Sequence, residues 1–74
     1  MENKLKEIIV DILEVGQEEI TDSFGPEDAP LWDSINNLRL VTAIEEEFNV
    51  KFKMDDISRM VDFSKIKDIL SLYV

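Results

Sequence analysis

Cysteine and histidine are both absent from the sequence. Without cysteine the chain cannot form a disulfide bond or a thiolate metal site. Without histidine it lacks the side chain that most often serves as a general base and as a metal ligand. Carboxylates, lysines and hydroxyls remain, in a chain whose 74 residues are too few to enclose a large pocket. We therefore expect a single domain that is not an autonomous enzyme.

Positive charge is also scarce, because eight Lys and Arg residues stand against 17 Asp and Glu residues and give a net charge of −9. Binding to nucleic acid or to an anionic membrane depends on Lys and Arg, so both partners are disfavoured. An acidic domain instead favours partners with basic patches, whose approach it steers.

Long apolar runs are missing too. No segment approaches the ~20 apolar residues of a membrane-spanning helix, and no apolar segment follows residues 1–4 as it would in a signal peptide. We expect a cytoplasmic protein without membrane insertion. The sequence is nevertheless 45% hydrophobic, which is too much for a disordered chain.

Apolar residues at helical spacing predict two long helices in the first two thirds of the chain. Helix I is predicted over about residues 3–15, with Gly16 as its stop. Helix II is predicted over about residues 34–48, with Asp33 as its N-cap and Asn49 at its C-terminus.

The last third of the chain predicts two further helices. Helix III is a short acidic segment over about residues 55–60, and helix IV covers about residues 64–73 with Ser64 as its cap. The alternation of apolar residues and lysines at 50–53 has no partner strand, so we interpret it as a loop. The predicted fold is all-α, a small bundle of three main helices plus one short helix in a single domain over residues 1–74.

Residues 16–33 form a long connection that holds both glycines and both prolines. No helical or strand period fits this segment. A connection of ~18 residues without regular structure is unusual, so we expect apolar side chains to attach it to the core. The candidates are Ile20, Phe24, Leu31 and Trp32.

Ser34 stands at the predicted start of helix II, where unpaired N–H groups and the helix dipole favour anionic groups. The serine can cap the helix, which is the commoner role of an isolated serine, or it can carry a phosphorylated group. Ile35 and Leu38 can likewise cover the long loop or contact a partner. The carboxylates at 45–47 and 55–56 do not match the calcium-binding loop of an EF-hand, and no metal site is expected.

Three sequence features occur together around and after this serine. They are the triplet Asp33-Ser34-Ile35, its spacing to Leu40-Val41, and the run Ala43-Ile44-Glu45-Glu46-Glu47-Phe48-Asn49-Val50. This combination resembles the acyl carrier protein family, whose pattern is Asp-Ser-Leu at the start of helix II and Leu-Glu-Glu-Glu-Phe at its end. The resemblance covers essentially the whole chain, because the long loop and the short acidic helix III also follow the family order.

The resemblance implies that Ser34 accepts a 4′-phosphopantetheine arm from coenzyme A through a phosphopantetheinyl transferase, and that Asp33 helps the transferase to recognise its target. The arm ends in a thiol that holds acyl groups as thioesters. Further partners would be enzymes with basic patches that transfer or modify those acyl groups. The carrier itself would be a monomer that does no bond chemistry.

The resemblance also implies two sets of contact residues. Those that bind partners would be Ile35, Leu38, Arg39, Glu45, Glu46, Asp55 and Asp56. Those that line a space for the acyl chain would be Val41, Ile44, Phe52, Met60 and Ile66.

Several positions depart from the family pattern. Ile35 replaces leucine, Arg39 replaces an acidic residue, Lys53 replaces proline, and Trp32 precedes the Asp-Ser pair. These departures favour a stand-alone carrier of a lipid, polysaccharide-modifying or natural-product pathway over the housekeeping synthesis of fatty acids. Two alternatives stay open: an acidic helical module that binds one basic partner and uses Ser34 only as a cap, and a peptidyl or aminoacyl carrier.

Overall fold

Four α-helices make up the regular structure of the chain, and the all-α prediction is confirmed. The computed structural model describes all residues from 1 to 74. The helices are α1 (Glu2–Leu13), α2 (Ser34–Phe48), α3 (Met54–Ser58) and α4 (Phe63–Ser71), and two short 3₁₀ turns at Gln17–Glu19 and Pro26–Asp28 lie between α1 and α2. No helix is both long enough and apolar enough to cross a membrane.

One hydrophobic core joins the helices. Sixteen buried side chains form it: Leu5, Ile9, Leu13, Ile20, Phe24, Ala29, Trp32, Leu40, Val41, Ile44, Phe52, Met60, Phe63, Ile66, Ile69 and Leu70. α1, α2 and α4 each contribute several of them, whereas α3 contributes none. The short helix α3 therefore lies on the core through partly buried residues, and it depends on its neighbours for its position.

The end of α1 differs from the predicted one, whereas α2 agrees with its prediction. α1 ends at Leu13, because Glu14 adopts the left-handed conformation with φ of 55° and donates its N–H to the carbonyl of Val10. Gly16 is therefore not the stop, since a non-glycine residue already closes the helix two positions earlier. α2 coincides with the predicted range, and Asn49 closes it in the same left-handed conformation.

The start of α4 also corrects the prediction. The carboxylate of Asp62 accepts a hydrogen bond from the backbone N–H of Lys65 at 2.8 Å, so Asp62 is the N-cap and Ser64 is not. α4 then covers Phe63–Ser71 instead of residues 64–73, and α3 covers Met54–Ser58 instead of residues 55–60. An aspartate caps as well as a serine, and the sequence offers both within three residues.

The long connection between α1 and α2 is attached to the core by aromatic side chains and by backbone hydrogen bonds. Ile20, Phe24 and Trp32 are buried as predicted, and the rings of Phe24 and Trp32 stack with their centroids 5.8 Å apart. The carbonyl of Phe24 accepts the N–H of Phe63 at 2.8 Å, which ties the loop to the start of α4. Leu31 is 39% exposed, so the prediction that it attaches the loop is wrong.

Lys67 on α4 joins three parts of the chain at the surface. Its ammonium group lies 2.6 Å from a carboxylate oxygen of Asp22 in the long loop and 3.4 Å from one of Glu2 on α1. It also lies 4.9 Å from the centroid of the Phe63 ring, within the range of a cation–π contact. Lys67 thus links the long loop, α1 and α4 on one side of the bundle.

Candidate functional site

The candidate site is the start of α2, where two adjacent residues have separate tasks. Asp33 is the N-cap, because its carboxylate accepts the backbone N–H of Asn36 at 2.8 Å. Ser34 is the first helical residue; its side chain is exposed and its hydroxyl makes no hydrogen bond. Since Asp33 does the capping, the Ser34 hydroxyl has no part in holding the fold and remains free to react.

Unpaired backbone donors surround this hydroxyl. The N–H groups of Ser34 and Ile35 donate no hydrogen bond, as expected in the first turn of a helix. Such donors, together with the helix dipole, stabilise a phosphate group at a helix N-terminus. The adjacent carboxylate of Asp33 works against an added negative charge. The donor set as a whole fits a phosphodiester on Ser34, with Asp33 as the one unfavourable neighbour.

A surface cavity of about 360 Å³ adjoins Ser34. One wall is formed by Trp32 and Asn37, whose side chains are joined by a hydrogen bond of 2.9 Å from the indole N–H to the amide oxygen. The opposite wall is formed by residues at and after the end of α3, including Ser58 and Val61. The amide NH₂ group of Asn37 has no partner within the protein. The site thus consists of a free hydroxyl, two free N–H groups and a partly polar groove.

The outward face of α2 carries the apolar residues that were predicted to contact partners. Ile35 is 71% exposed and Leu38 is 62% exposed, so neither covers the long loop. Arg39 is also exposed, and its guanidinium donates to the amide oxygen of Asn36 at 3.1 Å. The amide nitrogen of Asn36 donates in turn to the carbonyl of Leu31 at 2.6 Å. Arg39 is thus hydrogen-bonded to the first turn of α2 and forms no ion pair with any carboxylate of the chain.

The acidic candidates fall into two groups. Glu46 and Asp55 are exposed, and their carboxylates form no hydrogen bond or ion pair within the protein. Glu45 accepts the backbone N–H of Phe52 at 2.9 Å, and thereby fixes the loop that follows α2. Glu45 is thus partly engaged in holding the fold together.

Asp56, like Glu45, accepts hydrogen bonds within the protein. Its carboxylate accepts hydrogen bonds from the hydroxyl of Tyr73 and from the guanidinium of Arg59. The Tyr73 hydrogen bond, followed by that of Arg59, holds the pKa of Asp56 below its ordinary value of 3.8. The same contact raises the pKa of the Tyr73 hydroxyl above 10.0. Because Tyr73 also accepts the N–H of Lys53 at 3.1 Å, this network attaches α3 to the end of the chain.

The five residues predicted to line an acyl-chain space are all buried in the core. They are Val41, Ile44, Phe52, Met60 and Ile66, none more than 6% exposed. Of these, only Met60 also lines the groove beside Ser34. The sequence reasoning missed Asn37, Ser58 and Val61, which line the same groove. Asn37 lies one helical turn after Ser34 and could have been found from that spacing, whereas no local signal connects Ser58 or Val61 with Ser34.

Comparison with known proteins agrees with this geometry. No family model matches the chain. An acyl carrier protein of Buchnera aphidicola is 33% identical over 75 aligned positions, which cover 100% of this chain and 95% of the relative. The polyketide-8 synthase acyl carrier protein 1 of Streptomyces avermitilis is 28% identical over 68 positions, or 92% of this chain and 81% of the relative. The chain therefore belongs to the acyl carrier protein family and is a carrier, not an enzyme.

Proposed function

We propose that this chain carries acyl groups as thioesters on a 4′-phosphopantetheine arm attached to Ser34. The observation that carries the proposal is the division of tasks at the start of α2, where Asp33 caps the helix and leaves the Ser34 hydroxyl exposed and unbonded. The arm supplies a thiol, which the chain lacks because it has no cysteine. The free N–H groups of Ser34 and Ile35 favour the phosphodiester that joins the arm to the protein.

Attachment of the arm is a group transfer done by a separate phosphopantetheinyl transferase. The Ser34 oxygen forms a new bond to the phosphorus that bears the pantetheine, and its proton passes to a base of the transferase. The bond between the two phosphates of coenzyme A breaks, and adenosine 3′,5′-bisphosphate leaves. Asp33 and its exposed carboxylate beside Ser34 give the transferase a charged group to recognise.

The partner surface comprises the outward face of α2 and the acidic start of α3. Ile35 and Leu38 offer apolar contacts, while Glu46 and Asp55 are free to meet basic residues of enzymes that transfer or modify acyl groups. Glu45 and Asp56 belong to the same surface but remain tied to the protein through Phe52 and Tyr73. Charges at the rim of such a surface raise association rates more than affinity, which suits short serial encounters.

Arg39 adds a positive charge to this surface. Its guanidinium donates to Asn36 and is unpaired with any carboxylate of the chain, so a matching partner presents a carboxylate opposite it. An enzyme whose docking surface is uniformly basic meets repulsion there instead. Together with Trp32 before the Asp-Ser pair, this feature supports a carrier dedicated to one lipid, polysaccharide-modifying or natural-product pathway.

The test is the intact mass of the protein after incubation with coenzyme A, Mg²⁺ and a transferase of broad specificity. Wild type is expected to gain one phosphopantetheine, and Ser34→Ala is expected to gain none. The matched control is Ser71→Ala, another exposed serine, which is expected to gain the group as wild type does. The Ser34→Ala variant should keep its free energy of unfolding within about 0.5 kcal/mol, because the hydroxyl makes no hydrogen bond.

Two outcomes contradict the proposal. A mass gain in Ser34→Ala places the attachment on another residue. A folded wild-type protein that gains no mass with this transferase, and none with the transferase of its source organism, is an acidic interaction module, and the attachment of an arm to Ser34 is then wrong for this chain.

A further inference from the structure

Two adjacent asparagines in α2 hold the residues that lead into the helix. Asn36 donates from its amide nitrogen to the carbonyl of Leu31 at 2.6 Å. The amide oxygen of Asn37 accepts the indole N–H of Trp32 at 2.9 Å. Both bonds run from a helical residue after Ser34 to a loop residue before it. We call these two side-chain hydrogen bonds the asparagine clamp.

The side chain of Asn36 has one favourable orientation in this clamp. Its amide oxygen accepts a hydrogen bond from the guanidinium of Arg39 at 3.1 Å. A guanidinium can only donate and a carbonyl can only accept, so the NH₂ group of Asn36 faces the carbonyl of Leu31. The backbone N–H of Asn36 is also bonded, to the carboxylate of Asp33 at 2.8 Å. Asn36 therefore makes three hydrogen bonds, to residues on both sides of Ser34.

Asn37 makes the second attachment, to a side chain that is itself anchored in the core. Trp32 is 7% exposed and stacks on Phe24. A buried N–H donor without a partner is costly, and the amide oxygen of Asn37 supplies the acceptor that the indole needs. The backbone N–H of Asn37 donates to the carbonyl of Asp33 at 2.8 Å. The core is thus joined through one indole to the first turn of α2.

Capping of α2 does not require either asparagine side chain. Asp33 accepts the N–H groups of both asparagines, and these belong to the backbone. The two amide side chains act instead on the residues before the cap. The Ser34 side chain makes no hydrogen bond, so only the backbone on either side of it fixes its place. The asparagine clamp therefore sets the direction from which the chain reaches Ser34.

Transfer of the arm makes this direction important. The Ser34 oxygen has to approach the phosphorus atom of coenzyme A along one line while its proton passes to a base of the transferase. Displacement of a reacting group by about 1 Å can lower the rate of such a reaction about 100-fold. A hydroxyl whose neighbouring backbone is held before the encounter meets this requirement without further ordering.

We propose that Asn36 and Asn37 are positioning residues for attachment of the arm. Their side chains fix residues 31–33 and thereby present Ser34 to the transferase in one reactive position. Neither is a catalytic residue, because the bonds that form and break belong to Ser34 and to coenzyme A. This proposal rests on the attachment of the arm to Ser34, and only the role of the two asparagines is new here.

The kinetics of arm attachment in four single variants test the proposal. Asn36→Asp loses the NH₂ donor to Leu31 but keeps an oxygen for Arg39. Asn37→Leu loses the acceptor of the indole N–H, and Asn37→Asp restores an oxygen at the same place. Asn3→Asp, at an exposed position of α1, is the matched control for the change in charge. Circular dichroism first shows that each variant is folded at the assay temperature.

The clamp predicts a loss in kcat and not in KM. In Asn36→Asp and in Asn37→Leu, kcat for the transferase is expected to fall at least about fivefold, because the hydroxyl is no longer held in its reactive position. KM for the carrier is expected to change less than about twofold, since Ile35 and Leu38 of the partner surface are unaltered. Asn37→Asp is expected to recover most of the kcat lost in Asn37→Leu. Asn3→Asp is expected to match wild type.

Nuclear magnetic resonance relaxation of the apo protein gives a readout that needs no transferase. The backbone N–H groups of residues 31–33 are expected to become more mobile in Asn36→Asp and Asn37→Leu, and to stay as in wild type in Asn3→Asp. Unchanged mobility overturns the proposal, as does an unchanged kcat, a loss confined to KM, or a failure of Asn37→Asp to recover kcat. A wild-type protein that gains no arm contradicts the attachment itself, whereas attachment at the same kcat in every variant contradicts only the positioning role.

Discussion

Capping and modification often compete for one hydroxyl at the start of a helix, and here they are assigned to neighbouring residues. Asp33 has the extended backbone of an N-cap and accepts the N–H of Asn36. Ser34 then begins the helix with a free side chain. As a consequence, chemistry at Ser34 does not remove a bond that the helix needs. The proposed attachment of an arm to Ser34 therefore leaves the capping hydrogen bond of Asp33 in place.

At the same scale, Tyr73 has a predicted effect on the titration of Asp56. The Tyr73 hydrogen bond is the largest cause of the lowered pKa of Asp56, so Tyr73→Phe is expected to move that pKa up toward 3.8. The carboxyl carbon of Asp56, followed by nuclear magnetic resonance against pH, measures the change. A depressed folded-state pKa contributes stability that is present above 3.8 and is lost as pH falls through the folded value. The variant should therefore lose less stability in acid than wild type.

Alkaline pH gives the complementary check. The hydrogen bond to Asp56 raises the pKa of Tyr73 above 10.0. The stability that this bond contributes is therefore present below pH 10.0 and is lost as the pH rises through the pKa of the folded state. Tyr73→Phe has no such titration and should lack this alkaline step. An unchanged Asp56 titration in the variant would show that Arg59, and not Tyr73, is the main cause of the lowered pKa.

Among the elements, the long loop between α1 and α2 is attached to the core mainly through Phe24. Its side chain is 1% exposed and stacks on Trp32. Phe24→Ala is expected to lower the free energy of unfolding by about 3–5 kcal/mol, since it removes a buried ring and leaves a cavity. That loss is a large part of the ~4–11 kcal/mol expected for a domain of this size. Urea denaturation measures it.

Leu31 provides the control for this prediction. It lies in the same loop but is 39% exposed, so Leu31→Ala is expected to cost less than about 1 kcal/mol. Similar losses in the two variants would show that the loop is not held by the Phe24–Trp32 pair.

The helical spacing of apolar residues was the main basis for predicting where the helices lie. It located α1, α2 and α4, because each of them buries an apolar stripe in the core, whereas α3 was predicted from its acidic first turn. Helix ends were predicted less well. The left-handed residue Glu14 and the cap Asp62 depend on local backbone geometry that several neighbouring residues could have provided. The attachment of the loop was predicted correctly for Phe24 and Trp32, since large aromatic residues are rarely left exposed without a partner.

For the molecule as a whole, the net charge of −9 predicts a dependence of stability on salt. At about 0.01 M salt the Debye length is about 30 Å, longer than the 26 Å extent of the protein. At about 0.1 M it falls to about 10 Å, and repulsion between distant carboxylates is screened. The melting temperature is expected to rise between these two salt concentrations.

A charge-reduced variant tests whether net repulsion is the cause. Glu47→Gln combined with Asp11→Asn removes two exposed carboxylates that form no ion pair, and should show a smaller rise. A melting temperature that falls with salt would mean that local pairs such as Lys67 with Asp22 outweigh the repulsion.

The site could be predicted from the sequence only as far as it is local. Asp33, Ser34 and Ile35 are consecutive, and their chemistry follows from their place at a helix start. The groove beside Ser34 instead joins Asn37 with Val61, which are far apart along the chain and line one cavity only in the folded protein. The engagement of Glu45 by Phe52 is likewise a property of the folded loop that no charge pattern reveals.

The single tryptophan of the chain contacts the long loop, α2 and the groove beside Ser34. Trp32 is packed on the loop, bonded to α2 through Asn37, and exposed on one edge to the groove beside Ser34. The tryptophan fluorescence of the protein therefore comes from one known position, because the chain has no second indole. The wavelength of its emission maximum reports whether the long loop is folded, because Trp32 is buried only in the folded protein. Quenching of its fluorescence reports what lies beside Ser34.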